Sequence, residues 1–331
     1  MKTLRVAVIG AGYLGKFHAE KYAGMPHVDL VGVADLDPAA ADEVAARFGA
    51  KSYSDHRKLL GKVDAASVVT STPAHFEVSR DFLANGAHLL IEKPITENLD
   101  QARELMDIAE KNGRIIQTGH IERFNPVTRA LRRIADGPFL FEARRMSRFK
   151  ERAADVSVIL DMMIHDIDIA LALANSPVRD IRASGAPVAT DRIDMAMARI
   201  EFENGCAAHL AAGRVAESDS RTMTVFQKDA YIQADFGNRE MTVFKSGAPP
   251  EGVDAGRPPG DWDLPGMEGR TLSFEKADAL KDELESFIEA IRTKKSPEVT
   301  GRMGAEALEI ALIITDRIHE SLPAAGKRTL K

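Results

Sequence analysis

The sequence of 331 residues has one cysteine, one tryptophan and no long apolar run. The single cysteine, Cys206, cannot form an internal disulfide and has no cysteine neighbours for a zinc site, so we expect a packed small side chain. The apolar runs are too short to cross a bilayer, and Met1-Lys2 leads directly into a strand pattern rather than a signal peptide. These absences predict a soluble, cytoplasmic protein without a membrane partner.

An excess of positive charge is also lacking. The chain carries 44 Lys and Arg against 50 Asp and Glu, a formal net charge of -6, which excludes the basic footprint of a nucleic-acid-binding protein. With 44% hydrophobic residues, a chain of this length can bury a sizeable core and is expected to form two domains. It contains no internal repeats.

The first 120 residues alternate short apolar runs with helical patterns. Helix candidates cover Pro38–Phe48 and Leu99–Lys111, and the strand candidates are LRVAVIG, VDLVGVAD, AASVVT, AHLLIEK and GRIIQTG. Alternation of this kind is typical of an α/β domain, a doubly wound parallel sheet of the Rossmann type. We therefore predict a nucleotide-binding domain over residues 1–120.

After residue 120, strand candidates follow one another, with Asn204-Gly205 as a hairpin turn inside DMAMARIEFENGCAAHLAAGRV. This pattern predicts a substrate-binding α+β domain over residues 121–331, with a large open, mostly antiparallel sheet and two closing helices at Asp278–Arg292 and Met303–Ile318. Because such a sheet can leave one face uncovered, we expect a homodimer or homotetramer formed through it. Residues 245–270, rich in Gly and Pro and containing Trp262, predict a long loop.

Three glycines near the amino terminus predict a dinucleotide site. Gly10, Gly12 and Gly15 lie between an apolar strand and a helix, and Asp35 follows 20 positions after Gly15, at the end of the second strand. Gly10 would permit the tight turn, Gly12 would let a pyrophosphate approach the backbone, and Gly15 would allow close packing of helix on strand. The Asp35 carboxylate would accept hydrogen bonds from a ribose and repel a 2'-phosphate, so NAD is favoured over NADP.

Four motifs, one of them the glycine-rich stretch itself, give the chain a family resemblance. IEKPIT (91–96), GAGYLGKFH, GHIERFNP and LDMMIHDID together resemble the glucose-fructose oxidoreductase, inositol dehydrogenase and rhizopine-catabolism family, Gfo/Idh/MocA. The resemblance spans the whole chain. It implies an NAD(P)-dependent sugar or polyol oxidoreductase acting on CH-OH donors, with a nucleotide-binding domain and an open antiparallel sheet domain.

The resemblance also implies roles for individual residues. Lys93 would reach both the substrate hydroxyl and the nicotinamide, Asp161 and His165 would face the substrate, and Pro94 would follow a cis peptide bond. The family often has Thr-Pro-Asn before a histidine, where this chain has TSTPAH, so which of Thr70, Ser71 and Thr72 contacts the cofactor stays open. The remaining predicted cofactor contacts are Tyr13, Leu14, His75 and Glu92.

Alcohol oxidation requires removal of the hydroxyl proton, and histidine is the side chain best matched to that proton near neutral pH. This requirement favours His165 as the residue that accepts the proton. If the segment is helical, Asp161, four residues earlier, and Asp168, three residues later, lie on the same face as His165. The ammonium of Lys93 would stabilise the developing alkoxide. Two other interpretations stay open, an ordinary helix-surface pair and a metal site made of Asp161, His165 and His120; we predict no metal.

The segment FEARRMSRFKER gives sequence evidence on the class of substrate. If it is a strand, Arg144, Arg148, Lys150 and Arg152 point to one face and suit a phosphate-bearing substrate, unless they form a solvated edge. Arg123 and Asn125 would contact substrate or serve as a hinge. GHIERFNP and VILDMMIHDIDIAL resemble the branch that oxidises the 3-hydroxyl of UDP-N-acetylglucosamine, so we expect a nucleotide sugar.

Three alternatives remain from the sequence. One is an inositol, polyol or free-sugar dehydrogenase, and another is an oxidoreductase that retains its cofactor tightly through a whole cycle. The third, from a different class, is a non-catalytic regulator that senses NAD. The presence of Lys93, Asp161 and His165 argues against the regulator, which needs none of them.

Overall fold

The structure is a computed structural model that describes residues 3–151, 154–247 and 264–322. The chain divides into two compact units: the first contains residues 1–124 and 278–308, and the second contains residues 125–277 and 309–331. Residues 278–308, which were predicted to lie in the second domain, belong to the first unit. No helix in the described part of the chain is long and apolar enough to span a membrane.

The first unit contains a six-stranded parallel sheet of order β3-β2-β1-β4-β5-β6. Its strands are β1 (Leu4–Ile9), β2 (Val28–Ala34), β3 (Lys51–Tyr53), β4 (Ala65–Val68), β5 (His88–Glu92) and β6 (Ile116–Gly119). Its helices are α1 (Tyr13–Gly24), α2 (Pro38–Phe48), α3 (Thr72–Ala84) and α4 (Leu99–Lys111), with 3-10 turns at His56–Leu59 and Ile121–Phe124. The predicted doubly wound parallel sheet is confirmed. Its strand order reverses between β1 and β4, which is where such sheets bind ligands.

The second unit contains α5 (Pro126–Ile134), a π-helical turn (Ile159–Met163), α6 (Ile164–Ala174) and an eight-stranded sheet. Its strands are β7 (Leu140–Met146), β8 (Val178–Ala186), β9 (Met195–Phe202), β10 (Ala207–Gly213), β11 (Ser220–Gln227), β12 (Ala230–Asp235), β13 (Glu240–Lys245) and β14 (Glu268–Ser273). The order is β14-β13-β12-β11-β7-β10-β9-β8, antiparallel throughout except for the parallel pair β7 and β10. The predicted mostly antiparallel sheet is therefore confirmed.

Two helices end the described chain, α7 (Ala279–Thr293) and α8 (Gly301–Ser321). Leu284, Phe287 and Ile288 of α7 are buried in one core cluster with Tyr22 of α1. Because this apolar stripe packs on the first unit, α7 belongs to that unit despite its position late in the chain. Helix α8 begins in the first unit and ends in the second.

Three smaller expectations concern Cys206, the Asn204-Gly205 turn and the segment 245–270. Cys206 is 2% exposed, which confirms a packed side chain, and burial raises the pKa of its thiol to about 11. The Asn204-Gly205 hairpin turn is also present, with Gly205 at a φ of 87°. The predicted loop is shorter at its carboxyl end, because β14 begins at Glu268. Residues 248–263, including Trp262, lie outside the described residues.

Candidate active site

The glycine-rich turn joins β1 to α1. Gly10 has a φ of 104°, and a Cβ there would overlap the carbonyl of Val69, whereas a Cβ at Gly15 would overlap the carbonyl oxygen of Gly10. Gly12 is the N-cap of α1, with no side-chain capping bond and open space around its Cα. Because glycine has no side chain, residue 12 does not cap the first N–H groups of α1. Helix N-termini with N–H groups left open in this way bind phosphate.

A cavity of about 530 Å³ lies beside this turn, between the ends of β1, β2 and β4. Of the predicted cofactor residues, Gly10, Gly12, Asp35, Thr70 and Ser71 line it. Asp35 follows β2, and its carboxylate accepts hydrogen bonds from the N–H of Ala11 at 2.6 Å and of Asp37 at 2.9 Å. These bonds fix a carboxylate at the cavity wall, as the ribose of a dinucleotide requires. The cavity and the open glycine therefore fit NAD.

The other predicted cofactor residues around the turn lie outside this lining set. Leu14 is half-buried, Gly15 is packed against Gly10, and Thr72 begins α3. Tyr13 is 61% exposed and makes an edge contact with Phe17, with 5.2 Å between ring centroids. Ser71, the N-cap of α3, has a φ of -66°, the value at which proline is fixed. Serine in place of the usual family proline therefore keeps the same φ.

His75 lies in the interior rather than along the cavity, since it is 1% exposed. Its Nδ1 is 2.9 Å from the carbonyl oxygen of Pro94, and its Nε2 is 3.1 Å from that of Thr70. Burial lowers the pKa of this imidazole, although both carbonyl groups raise it. Because both ring nitrogens face main-chain oxygens, His75 connects the segment after β4 to the segment after β5.

Glu92, the last residue of β5, is likewise buried. Its Oε1 lies 3.2 Å from Nε2 of His18 on α1, and its Oε2 accepts a bond of 3.3 Å from the N–H of Lys93. Burial by itself raises the pKa of the Glu92 carboxyl, but the adjacent His18 and Lys93 bring it below the ordinary value. His18 is thus a buried partner of Glu92.

Lys93 lies at the carboxyl edge of the parallel sheet, directly after β5. Its side chain is half-buried, and the Lys93–Pro94 peptide bond is cis, as the family resemblance implies. Ile95 and Thr96, which follow, are fully buried. The segment that carries the ammonium group is therefore packed into the first unit on both sides of the lysine.

In the second unit, Asp161 lies in the π-helical turn and His165 in the first turn of α6. Both side chains are half-buried, whereas Asp168 is 1% exposed. The π turn contains Asp161 and widens the helix there, so the spacing from Asp161 to His165 is not that of a regular α-helix, and one face shared by all three residues stays a prediction. Single π turns of this kind are frequent at functional sites. In the described part of the chain, no three His, Cys, Asp or Glu residues are grouped to hold a metal ion.

An ion pair made by Asp166, the residue after His165, was not predicted from the sequence. Arg145 of β7 donates to both carboxylate oxygens of Asp166, from Nε at 2.9 Å and from Nη2 at 2.8 Å, and both side chains are nearly inaccessible. The pair fixes the first turn of α6 to the sheet. Alternation along β7 is a signal for it, because Arg144 and Arg145 must point to opposite faces and one of them must be buried.

Arg148 and Lys150 do not continue a charged strand face, because β7 ends at Met146, beside the ends of its neighbours at Gly213 and Ser220. Nε of Arg148 donates to the carbonyl of Glu217 at 2.7 Å, and Lys150 lies 3.8 Å from Asp219. The predicted row of four cations is therefore wrong as a strand face: Arg144 alone lies on β7, and Arg152 lies outside the described residues.

Arg123 and Asn125 lie at the boundary between the two units. Arg123 is 3% exposed in a 3-10 turn. The side-chain oxygen of Asn125 accepts a bond of 3.0 Å from the N–H of Val127 and so caps α5. The two roles expected for these residues, substrate contact or hinge, stay predictions.

Comparison with known proteins assigns the chain to a family. Residues 4–120 match the GFO/IDH/MocA profile described as an oxidoreductase family with an NAD-binding Rossmann fold, and residues 114–233 match the C-terminal domain of the same family. The chain belongs to the GFO/IDH/MocA family. It is accordingly an NAD-binding oxidoreductase, which favours an enzyme over a non-catalytic regulator.

Two members of the family illustrate the range of similarity. UDP-N-acetylglucosamine 3-dehydrogenase of Acidithiobacillus ferrooxidans is 38% identical over 310 residues, 93% of this chain and 95% of that protein. A solved structure of that enzyme, GnnA, has a TM-score of 0.89 at 37% identity, covering 97% of this chain and 99% of the other. The scyllo-inositol 2-dehydrogenase (NAD(+)) of Bacillus subtilis is 26% identical over 97% of this chain and 95% of its own.

Proposed function

We propose that this family member oxidises the 3-hydroxyl of UDP-N-acetylglucosamine with NAD as hydride acceptor. The observation that carries the proposal is the 38% identity to a UDP-N-acetylglucosamine 3-dehydrogenase along both domains, against 26% for an inositol dehydrogenase of similar coverage. The support comes from this similarity and not from a row of cations, since β7 ends at Met146. A polyol or free-sugar dehydrogenase is the alternative.

In this proposal the protein residues divide the chemistry between proton and charge. His165 accepts the hydroxyl proton as the carbinol carbon loses hydride, and the carbon becomes a ketone. Lys93 stabilises the negative charge that develops on the oxygen. Asp161 orients the imidazole or binds a sugar hydroxyl. Bound NAD supplies the hydride acceptor.

Asp35 supports NAD over NADP. Its carboxylate is fixed at the cavity wall by the N–H groups of Ala11 and Asp37. A carboxylate held there accepts bonds from ribose hydroxyl groups and repels a 2'-phosphate. Asp35→Ser is expected to weaken NAD binding and to narrow the preference over NADP, as measured by titrating each coenzyme against the protein.

The substrate proposal is tested by following reduced-nicotinamide absorbance with NAD and one candidate alcohol at a time. UDP-N-acetylglucosamine, free N-acetylglucosamine and myo-inositol form a matched series, because the first two share the sugar and differ in the nucleotide. We expect turnover of UDP-N-acetylglucosamine and little of the other two. Turnover of inositol or of the free sugar, without turnover of the nucleotide sugar, contradicts the proposal. Nicotinamide that copurifies with the protein would indicate a cofactor retained through the cycle.

We also propose self-association through the exposed face of the eight-stranded sheet. Met197 on this face is 55% exposed, and a shallow depression of about 550 Å³ lies around it, lined also by Arg182, Ser184, Arg199, His209 and Ala211. Light scattering coupled to gel filtration should give a dimer or tetramer for the unmodified chain and a smaller species for Met197→Asp. A cytoplasmic location stays a prediction.

A further inference from the structure

Glu283 is a fully buried carboxyl group that the proposed reaction does not use. It lies on α7, next to Leu284 in the core of the first unit. Neither of its carboxyl oxygens has a hydrogen-bond partner within the part of the chain that the structure describes. Its main-chain carbonyl accepts a bond of 2.9 Å from the Gln117 side chain of β6. An ionised carboxylate in such a place would be very costly, so Glu283 must be the neutral acid.

Contacts of β6 and α1 relate Glu283 to the segment that carries Lys93. Gly119, two residues after Gln117, pairs with Glu92 across the sheet, and a Cβ on Gly119 would lie 2.9 Å from the Glu92 carboxyl group. On α1, His18 contacts Glu92, and Tyr22, one turn later, packs with Leu284 in the same core cluster. Helices α1 and α7 thus enclose two carboxyl groups and one imidazole behind β5.

The charges in this region reinforce each other. Burial raises the pKa of Glu283 well above its ordinary value, and the charge of Glu92 raises it further. Burial also raises the pKa of the Tyr22 phenol, which both carboxyl groups raise further. Two carboxyl groups in one enclosed region cannot both be ionised near neutral pH, because their negative charges repel each other. One carboxyl group is therefore charged, and it is Glu92, which has His18 and Lys93 beside it.

We propose that Glu283 is a positioning residue for Lys93: as a neutral acid it leaves Glu92 the one carboxylate in the buried cluster, fixed between His18 and the N–H of Lys93. Ionisation of Glu283 at high pH would place a second negative charge behind β5 and disturb that arrangement. The effect on turnover rests on the proposed function, whereas the protonation of Glu283 does not. The elements with the most extensive contacts to α7 are α1 and the 3-10 turn Ile121–Phe124, and their ionisable side chains are Tyr13, Lys16, His18, Glu20, Lys21, Tyr22, Glu122 and Arg123. The charge of Glu92 on β5 also acts on Glu283.

The test compares Glu283→Gln with Glu289→Gln, which removes an exposed carboxyl from the same helix. An acid whose pKa is higher in the folded than in the unfolded chain stabilises the fold less as pH rises above its unfolded value, about 4.5. Glu283→Gln, which cannot ionise, should therefore gain melting temperature over the unmodified protein as pH rises from 5 to 9. Glu289→Gln should run parallel to the unmodified protein. Parallel curves for Glu283→Gln overturn the proposal.

Two further measurements separate protonation from positioning. Infrared spectra of the unmodified protein at pH 8 should contain the band of a protonated carboxylic acid, and its absence overturns the proposal even if Glu283→Gln fails to fold. In the Glu283→Gln variant, the alkaline fall of kcat should move to higher pH than in the unmodified protein. Superimposed kcat profiles overturn the positioning role while leaving the neutral acid. Absence of turnover with every alcohol contradicts the proposed function and leaves the melting and infrared tests intact.

Discussion

The two units of this protein fix their proposed catalytic groups by different means. Lys93 is held through the main chain, by the end of β5 before it and by the Pro94 carbonyl, which faces His75, after it. His165 lies on a helix whose first turn is fixed by a side-chain ion pair between Arg145 and Asp166. A group that is held by the main chain can be predicted from glycine and proline motifs close to it in the sequence. Groups held by side-chain pairs depend on partners that lie far apart in sequence.

The largest expected effect tests whether both units contribute to turnover. His165→Ala should lower kcat about 10²- to 10⁴-fold because the hydroxyl proton loses its acceptor, and Lys93→Ala should also abolish most turnover because the alkoxide loses its countercharge. NAD affinity should be unchanged in both variants, since the glycine turn and Asp35 are untouched. Steady-state rates and NAD titration measure the two quantities. Near-normal rates in both variants would reject the assignment.

The next effect concerns the ion pair that supports His165. Asp166→Asn removes the charged partner that accepts two hydrogen bonds from the buried Arg145, so it should lower the free energy of unfolding by about 3–5 kcal/mol. Asp180→Asn is the matched control, because its pair with Arg182 is exposed and should contribute about 0–1 kcal/mol. Urea unfolding of the three proteins gives both values. A loss no larger than the control would mean that the pair does not hold α6.

Within the first unit, substitutions at two glycines distinguish an effect on stability from an effect on cofactor binding. Gly15→Ala should destabilise the protein by about 1–3 kcal/mol, because the new methyl group meets the carbonyl oxygen of Gly10. Gly12→Ala has open space around it and should leave stability within about 0.5 kcal/mol, yet weaken NAD binding by occupying the approach to the backbone. Thermal unfolding and NAD titration distinguish the two. Equal NAD affinity in Gly12→Ala and the unmodified chain would mean that the phosphates of NAD do not bind at this turn.

Much of the first unit could be predicted because its signals are local. Helices α2 and α4 have the predicted bounds, since Asp37 and Asn98 cap their first turns and Gly49, with a φ of 72°, ends α2. The glycine turn and Asp35 were likewise found from spacing alone. The interior positions of His75 and Glu92 could not be found this way, because a motif identifies neighbours in sequence and not burial.

Predictions for the second unit failed where the answer depends on distant partners. The charged strand was expected to continue past Met146, but a strand extends only as far as its neighbours pair with it, and β10 and β11 stop there. The π turn at Asp161 has the composition of an ordinary helix. The helix that forms α7 was predicted, yet the sequence does not say that Leu284 and Phe287 pack on the first unit.

The smallest expected effect tests whether the main chain alone holds Lys93. The side-chain oxygen of Asn98 accepts a bond of 3.0 Å from the N–H of Gln101 and caps α4, five residues after the lysine. Asn98→Ala should cost about 1 kcal/mol of stability in urea unfolding, while Asn98→Asp keeps an acceptor and should cost less. Neither variant should change kcat, because the contact of His75 with the Pro94 carbonyl lies between the cap and Lys93. A fall in kcat that follows the loss of the cap would make α4 part of what holds the lysine.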